Sequence, residues 1–542
     1  MAELTHSDIV RRLEQLTELS VELSRNRDTG RLLERILRAA KDMTHADGGT
    51  LYRVSADKKN LCFQISLNDT LGMYQGGASG HAIDIPDIPL FTASGGQNLS
   101  AVAAYAANTG ISVNIQDVYQ VDVFNFSGMR KFDQAYGYHS KSFLTVPMQD
   151  HEGELIGVLQ LINATDPATG QTCAFSETDQ RLIEALASQA AIAITNQQLI
   201  ALLEDLFESF VKLINIGLDE KSPHTGRHCE HVPYLTMMLA EAVHRTERGP
   251  FADFRMGERD RKELWLAGLL HDCGKITTPV HVVEKATKLE TIADRIHTVD
   301  TRFEVLKRDA EIRALKEKLA AGGNAQRCAE IDALLSRELS GLDEERDFLR
   351  RANIGSEAMS PQDQQRVTEI ARRRWTGPDG NERDLLDAEE IENLTVRAGT
   401  LTAREREIIN NHIAVTIRML EALPWPKHLK NVPEYAGGHH ERMDGKGYPR
   451  GLRGDQMSVQ ARMMAIADIF EALTAKDRPY KKGKMLSESL QILGGFCVRD
   501  HIDPDLFDVF VREKVYLEYA RRFMDLAQID EVDESRIPGY VP

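Results

Sequence analysis

The sequence predicts a multidomain protein in which an α/β domain with an antiparallel sheet precedes an all-α domain that carries a charged helical insertion. Three observations support this. Strand-like segments separated by Gly, Asp and Asn turns occur between about residues 30 and 200. From about residue 204 onward the apolar residues recur at helical spacing. The histidines are uneven too: five of the 17 precede residue 200, and the other 12 lie from His224 onward, several closely spaced. A chain of 542 residues has room for about three to four domains. Its 42% hydrophobic and 27% charged residues are ordinary for a folded chain. With 66 Lys and Arg against 83 Asp and Glu, the net charge is −17, which disfavours nucleic acid or anionic membrane as partners. Any phosphate-bearing ligand therefore needs a local site.

Within residues 1–28, Ile9, Leu13, Leu16 and Leu23, with Leu19 beside them, keep the spacing of an amphipathic helix, suited to a short dimerising coiled coil or to packing on its own domain. Residues 29–200 form the α/β domain: the helical LLERILRAAKDMT precedes GTLYRVS, LCFQISL, SVNIQDV, KSFLTVPMQ and GELIGVLQLIN, which read as strands. The apolar periodicity after FSETD meets no Gly or Pro until Gly217, predicting a linker helix at about 180–218 that enters the second domain, residues 201–542. Residues 288–400 are highly charged and fit a helical hairpin or small bundle. No apolar run approaches the roughly 20 residues of a bilayer-spanning helix, and MAELTHSDIV lacks the features of a secretory signal. Six scattered cysteines with no CxxC pair fit free thiols in a reducing cytoplasm.

The chemistry-bearing residues follow in chain order. His224 and His228 share a helix face after Ser222-Pro223, and His231 continues it. An apolar helix then runs into His271-Asp272-Cys273-Gly274-Lys275, where a buried Asp needs hydrogen bonds or a metal. His412 lies on the apolar side of one patterned helix, LTAREREIINNHIAVTIRML. The Gly-rich bend at 437–438 can aim His439 and His440 at different members of a metal cluster. Asp468 sits on an apolar helix, followed by the basic Arg478 and Lys481. Imidazoles and carboxylates in this order suit Fe, Mn, Ni or Zn over Ca.

Two resemblances add to this reading. The order helix, GTLYRV, LNDT, NIQDVY, GYHSKSFLTVPMQD, GELIGVLQLINA and F-S-E-T-D resembles a GAF domain of the cyclic-nucleotide phosphodiesterase branch. Asn163, Phe175 and Asp179 match that branch's ligand-binding signature, whereas Ala164 and Gln180 depart from it, so the GAF ligand stays open. Residues 271–275 and 439–449 resemble the His-Asp-x-Gly-Lys and His-His-Glu-x-x-Asp-Gly-x-Gly-Tyr-Pro signatures of the HD-GYP family, metal-dependent phosphohydrolases. That resemblance implies hydrolysis of cyclic di-GMP to linear pGpG or GMP at a di- or trinuclear iron or manganese centre. It assigns His228, His271, Asp272, His412, His439, His440 and Asp468 as ligands, with Asp272 bridging two metals. His224 stands where trinuclear members have a third-metal Glu, and it can ligate. Asp272 and Lys275 are the implied catalytic residues. Lys275, Arg478 and Lys481 are candidates to bind the substrate phosphates, and His231 has a supporting or surface role. Tyr448 packs in a loop-shaping Gly-Tyr-Pro. The expected state is a homodimer through the N-terminal and linker helices, with the GAF domain as sensor. A cyclic di-GMP receptor with little turnover and a phosphodiesterase for a mixed cyclic GMP-AMP dinucleotide are the alternatives.

Overall fold

The computed structural model describes residues 29–355, 358–476 and 483–541, so the helix expected over residues 1–28 lies outside the described residues. The chain divides into two units, residues 1–207 and 208–542.

In the first unit, helix α1 (Thr29–Thr44) leads into an antiparallel sheet built from β1 (Ala46–Val54), β2 (Asn60–Asn68), β3 (Met73–Gly76) and β4 (Ile88–Pro89). Helix α2 (Val102–Thr109), β5 (Val113–Ile115), helix α3 (Ser127–Tyr136), β6 (Phe143–Gln149), β7 (Leu155–Thr165) and β8 (Thr172–Cys173) complete the domain. The strand order is β3-β2-β1-β7-β6-β5, with β4 beside β2 and β8 beside β7. Leu51 on the central β1 faces Ile65 on one side and Leu159 on the other.

Strand side chains alternate between faces, which splits the core in two. Leu51, Ile65 and Leu159 pack against α1 and the start of α4 (Glu177–Lys221). Their neighbours Tyr52 and Val158 pack with Leu61 against the alanines of α2. Helix α1 suits its place because Leu32, Leu33, Ile36, Leu37, Ala40 and Met43 form one buried stripe. The three residues matching the GAF signature serve this architecture. Asn163 adopts a positive φ of 59°, accepts from the backbone N–H of Lys141 (2.7 Å) and donates to His139 O (2.8 Å). Phe175 is buried in the α1 face, and Asp179 accepts from the Ser176 hydroxyl at the start of α4 (2.7 Å).

The second unit is mainly helical. Helix α5 (Pro223–Arg245) buries Val232, Leu235, Leu239 and Val243, spaced three or four apart, against α6 (Glu258–Leu270) and α15 (Val459–Thr474). After a 3-10 turn (Cys273–Thr277) and α7 (Val280–Val283) come the long α8 (Ile296–Ala320) and α9 (Ala325–Asn353), which pack together. Then follow α10 (Pro361–Ala371), β9 (Arg374–Thr376), β10 (Glu382–Asp384) and α11 (Ala388–Leu394). This charged segment has a core of its own, including Leu289, Val299, Phe303, Leu349, Val367 and Leu394. Its ends are clasped where the buried Lys285 ammonium donates to Glu405 (2.8 Å) and Asn393 (2.7 Å), and Thr400 donates to Lys285 O (2.9 Å). The chain continues through α12 (Ala403–Asn410), α13 (His412–Glu421), α14 (Val432–Gly437), α15, α16 (Leu486–Val498), α17 (Pro504–Arg512) and α18 (Val515–Phe523).

Two local expectations change. The β9/β10 ribbon interrupts the purely helical reading after residue 204, because Gly377-Pro378-Asp379-Gly380 has turn chemistry that joins two short strands. The helix expected to carry His412 is two helices, α12 and α13, meeting at a turn at Asn411. Among the described residues no helix is long and apolar enough to cross a membrane.

Candidate metal centre

Five elements converge on one buried cluster: α5 brings His228, the end of α6 brings His271 and Asp272, α13 begins with His412, the bend after α14 brings His439 and His440, and α15 brings Asp468. Asp272, His271, His412 and His439 are each at most 3% exposed. Gly274 lets the 3-10 turn approach α13, since a Cβ there would lie 2.0 Å from His412 O and 2.6 Å from Thr416 N. The Gly274 N–H instead donates to the Thr416 hydroxyl (2.9 Å). Glu441, 1% exposed, folds the following loop by accepting from the N–H groups of Arg450 (2.7 Å) and Leu452 (2.9 Å). Gly447 crosses that loop where a Cβ would sit 2.5 Å from Arg442 N. Tyr448 stacks on His440 with ring centroids 4.9 Å apart.

The hydrogen bonds around the cluster set its chemistry. Nδ1 of His271 donates to Gly268 O (2.7 Å), Nδ1 of His439 to Ala436 O (2.6 Å), and Nδ1 of His412 to Ile409 O. A carbonyl only accepts, so each Nδ1 carries the proton and each Nε2 presents a lone pair to the cluster. His228 is oriented likewise by the carboxylate of Glu471, which is 2% exposed. Asp272 points its two oxygens apart: Oδ2 lies 3.4 Å from His228 Nε2 and 3.3 Å from His271 Nε2, and Oδ1 lies 3.0 Å from His412 Nε2. His228 Nε2 is 3.0 Å from Asp468 Oδ1 and 3.3 Å from His271 Nε2.

Lone pairs facing lone pairs at these distances repel unless a cation stands between them. Asp272 Oδ1, His412 Nε2 and His439 Nε2 are indeed buried without a hydrogen-bond partner among the described residues, where such groups are normally satisfied. Among the described residues, three overlapping groups have ligand atoms within 4.8 Å of one another: His228-His271-Asp468, His271-Asp272-His439 and His412-His439-His440. The donor set, its burial and its orphaned lone pairs fit a divalent metal centre. The adjacent histidines share one of these groups, and His439 also belongs to a second that excludes His440.

The electrostatics keep Asp272, Asp468, His439 and His440 in metal-ready forms. Burial pushes the Asp272 carboxyl up, but Lys275 and His271 outweigh it and hold it well below the usual carboxylate range. Burial likewise pushes Asp468 up, yet His228, His440 and His439 leave it well below. Burial and the neighbouring imidazoles push His439 well down. Burial takes His440 to about 4 against the opposing pull of Asp468. His228 differs: burial works against its charged form, but Glu471, Asp272 and Asp468 overcome it and hold it well above the usual imidazole range, so a metal there would displace its Nε2 proton.

Of the other candidates, Lys275 donates to Asp272 Oδ2 (2.6 Å), which raises its pKa despite burial. His224 falls in the first turn of α5, with its side chain outside the described ones, and Arg478 and Lys481 lie outside the described residues. His231 lines a cavity of about 500 Å³ together with His228, His440, Asp468 and Lys275. A second cavity, about 390 Å³, shares His440 and Asp468 with the first and is also lined by Arg442, Lys446 and Lys484. Sequence reasoning assigned no role to Glu471. The readable signal was an acid three residues after Asp468 on an apolar helix, hence on the same face.

The GAF domain family model matches residues 28–194, and two HD domain models match residues 225–337 and 388–506. Over 81 residues the chain is 47% identical to a 3'3'-cGAMP-specific phosphodiesterase of Vibrio cholerae, covering 15% of this chain and 19% of that one. A second enzyme of that description from the same organism is 31% identical over 185 residues, covering 34% and 33%. A cyclic di-GMP phosphodiesterase of Pseudomonas aeruginosa is 38% identical over 116 residues, covering 21% and 27%. The chain thus spans a third or less of the length of these relatives. With the fold and the histidine-aspartate cluster, these matches identify the chain as a GAF domain followed by an HD domain.

Proposed function

We propose that the chain is a metal-dependent phosphodiesterase that hydrolyses cyclic di-GMP to linear pGpG or GMP under control of the GAF domain. The carrying observation is the buried cluster of His228, His271, Asp272, His412, His439, His440 and Asp468, in which Asp272 Oδ1, His412 Nε2 and His439 Nε2 lack hydrogen-bond partners among the described residues. A divalent centre held by these residues supplies the Lewis acidity that phosphodiester hydrolysis needs. Asp272, with its oxygens facing different imidazoles, is suited to bridge two metals; Fe or Mn is the expected identity, and His224 leaves two or three sites open. Lys275, held against Asp272, is placed to meet a phosphate oxygen, and Arg478 and Lys481 are expected at the second phosphate. The two cavities that meet at His440 and Asp468 give room for a dinucleotide beside the cluster. Free cysteines at all six positions agree with a cytoplasmic location.

Anaerobically purified protein, analysed for metal and incubated with cyclic di-GMP, should release linear product as metal content rises. Tight binding without product would instead mark a receptor. Running 3'3'-cGAMP in parallel tests the mixed dinucleotide that two of the relatives are named for.

The proposal includes a homodimer through α4. Leu199, Leu203, Leu206, Phe210 and Leu213 recur at alternating spacings of four and three residues, and each is 47% to 63% exposed, the pattern of a coiled-coil seam. Light scattering of Leu203→Glu/Phe210→Glu should then report half the native mass.

A further inference from the structure

The larger cavity has a wall that the hydrolytic chemistry does not use. Besides His228, His440 and Asp468 it is lined by the end of α18, with Tyr519, Arg522 and Phe523. Moving outward from the metal cluster, Glu471 Oε1 lies 3.6 Å from His231 Nδ1. The His231 ring lies 4.8 Å from that of Phe523. Beyond these, the Arg522 guanidinium sits over the rings of Phe523 (5.2 Å) and Tyr234 (5.0 Å). Among the described residues Arg522 has ring faces for partners and no carboxylate or carbonyl acceptor. A guanidinium resting on aromatic faces keeps its fork of N–H donors pointing edgewise.

We propose that Arg522 reads the acceptor edge of one guanine of the substrate, with Phe523 supplying an apolar face for the base. This rests on the phosphodiesterase reading, which fixes a phosphate at the metal ligands. The attached nucleoside then extends by one ribose, past His231, toward α18. Guanine presents two adjacent acceptors, O6 and N7, that match the paired donors of arginine. Adenine places an amino donor beside N7, so the same fork meets a donor. Arg522 therefore selects guanine over adenine at this position, whichever base occupies the other half of the molecule.

The test uses full-length, metal-loaded protein and the hydrolysis-resistant bisphosphorothioate analogues of cyclic di-GMP and cyclic di-AMP, with affinities measured by calorimetry. The native protein should prefer the guanine analogue. Arg522→Ala and Arg522→Gln should each lose about tenfold or more of that preference, Arg522→Ala through weaker binding of the guanine analogue alone. Equal weakening of the guanine and adenine analogues in Arg522→Ala would assign the residue to a phosphate and overturn the proposal. So would an unchanged preference in both variants, or a native protein that does not discriminate. Bound metal per chain, measured for each variant, shows that the site has folded. Native turnover of cyclic di-GMP is followed separately: guanine preference without turnover refutes the phosphodiesterase reading and leaves the base-reading role standing.

Discussion

Glu471→Gln isolates what one carboxylate does for the metal centre. The side chain is 2% exposed, one oxygen accepts from His228 Nδ1, and the other lies 3.6 Å from His231 Nδ1. Glutamine keeps the shape and removes the charge. If its carbonyl oxygen faces His228, the imidazole keeps its tautomer but loses the anion that strengthens it as a ligand. If the amide NH₂ faces His228, two donors meet, and the proton moves to Nε2, the nitrogen 3.0 Å from Asp468. Both arrangements weaken the same ligand. Losing such an outer partner lowers metal affinity about 10- to 100-fold, or about 1.4–2.7 kcal/mol. Chelator-competition titration with Mn²⁺ measures it, with circular dichroism reporting the fold. An affinity within about twofold of native, in a folded variant, would refute the positioning role.

Three further outcomes are expected. Gly274→Ala places a methyl 2.0 Å from His412 O, so the Asp272 turn should shift, with loss of bound metal and about 1–3 kcal/mol of stability in urea melts; full metal occupancy would contradict this. Lys285→Met leaves Glu405 and Asn393 without their buried cation and should destabilise the protein by about 3–5 kcal/mol; a change below about 1 kcal/mol would make the clasp incidental. Burial alone pulls Lys288 from 10.5 down to about 8. Below pH 8 both states hold the proton and the burial penalty is full. Between pH 8 and 10.5 the unfolded chain keeps the proton that the folded one has released, so stability relative to Lys288→Met should rise with pH, by up to about 3 kcal/mol. A pH-independent difference would contradict the assignment.

The domain order and the cluster were readable in the sequence because each rests on local pattern. Strands such as Leu155–Thr165 carry a mostly buried apolar run, and the His-Asp and His-His pairs stand out against apolar helices. What escaped reading has a weak local signal. The strands of β9 and β10 are three residues long and largely exposed, so no alternation marks them, and only the Pro-Asp-Gly turn betrays them. Asn411 keeps helical dihedrals (φ −64°, ψ −15°) where the chain turns, which no breaker residue announces. Glu441 and Glu471 look like surface acids until their partners, nine to 243 residues away, are in place. Long-range pairing of this kind is a property of the fold and leaves little trace in neighbouring letters.

The clasp between Lys285 and Glu405 has a consequence for how the metal site is assembled. His271 and His412 are separated by 141 positions, and closing so long a flexible loop would oppose folding by an entropy that grows with the logarithm of its length. The intervening segment has its own apolar core and holds its two ends together, so once folded it acts as a short tether. The contacts between the consecutive helices α8 and α9 are local in sequence, the kind that forms fast in folding. The site is therefore expected to tolerate changes of length and charge in this segment so long as the two ends stay joined, with changes at the clasp expected to disturb the metal ligands more than changes at the hairpin tip.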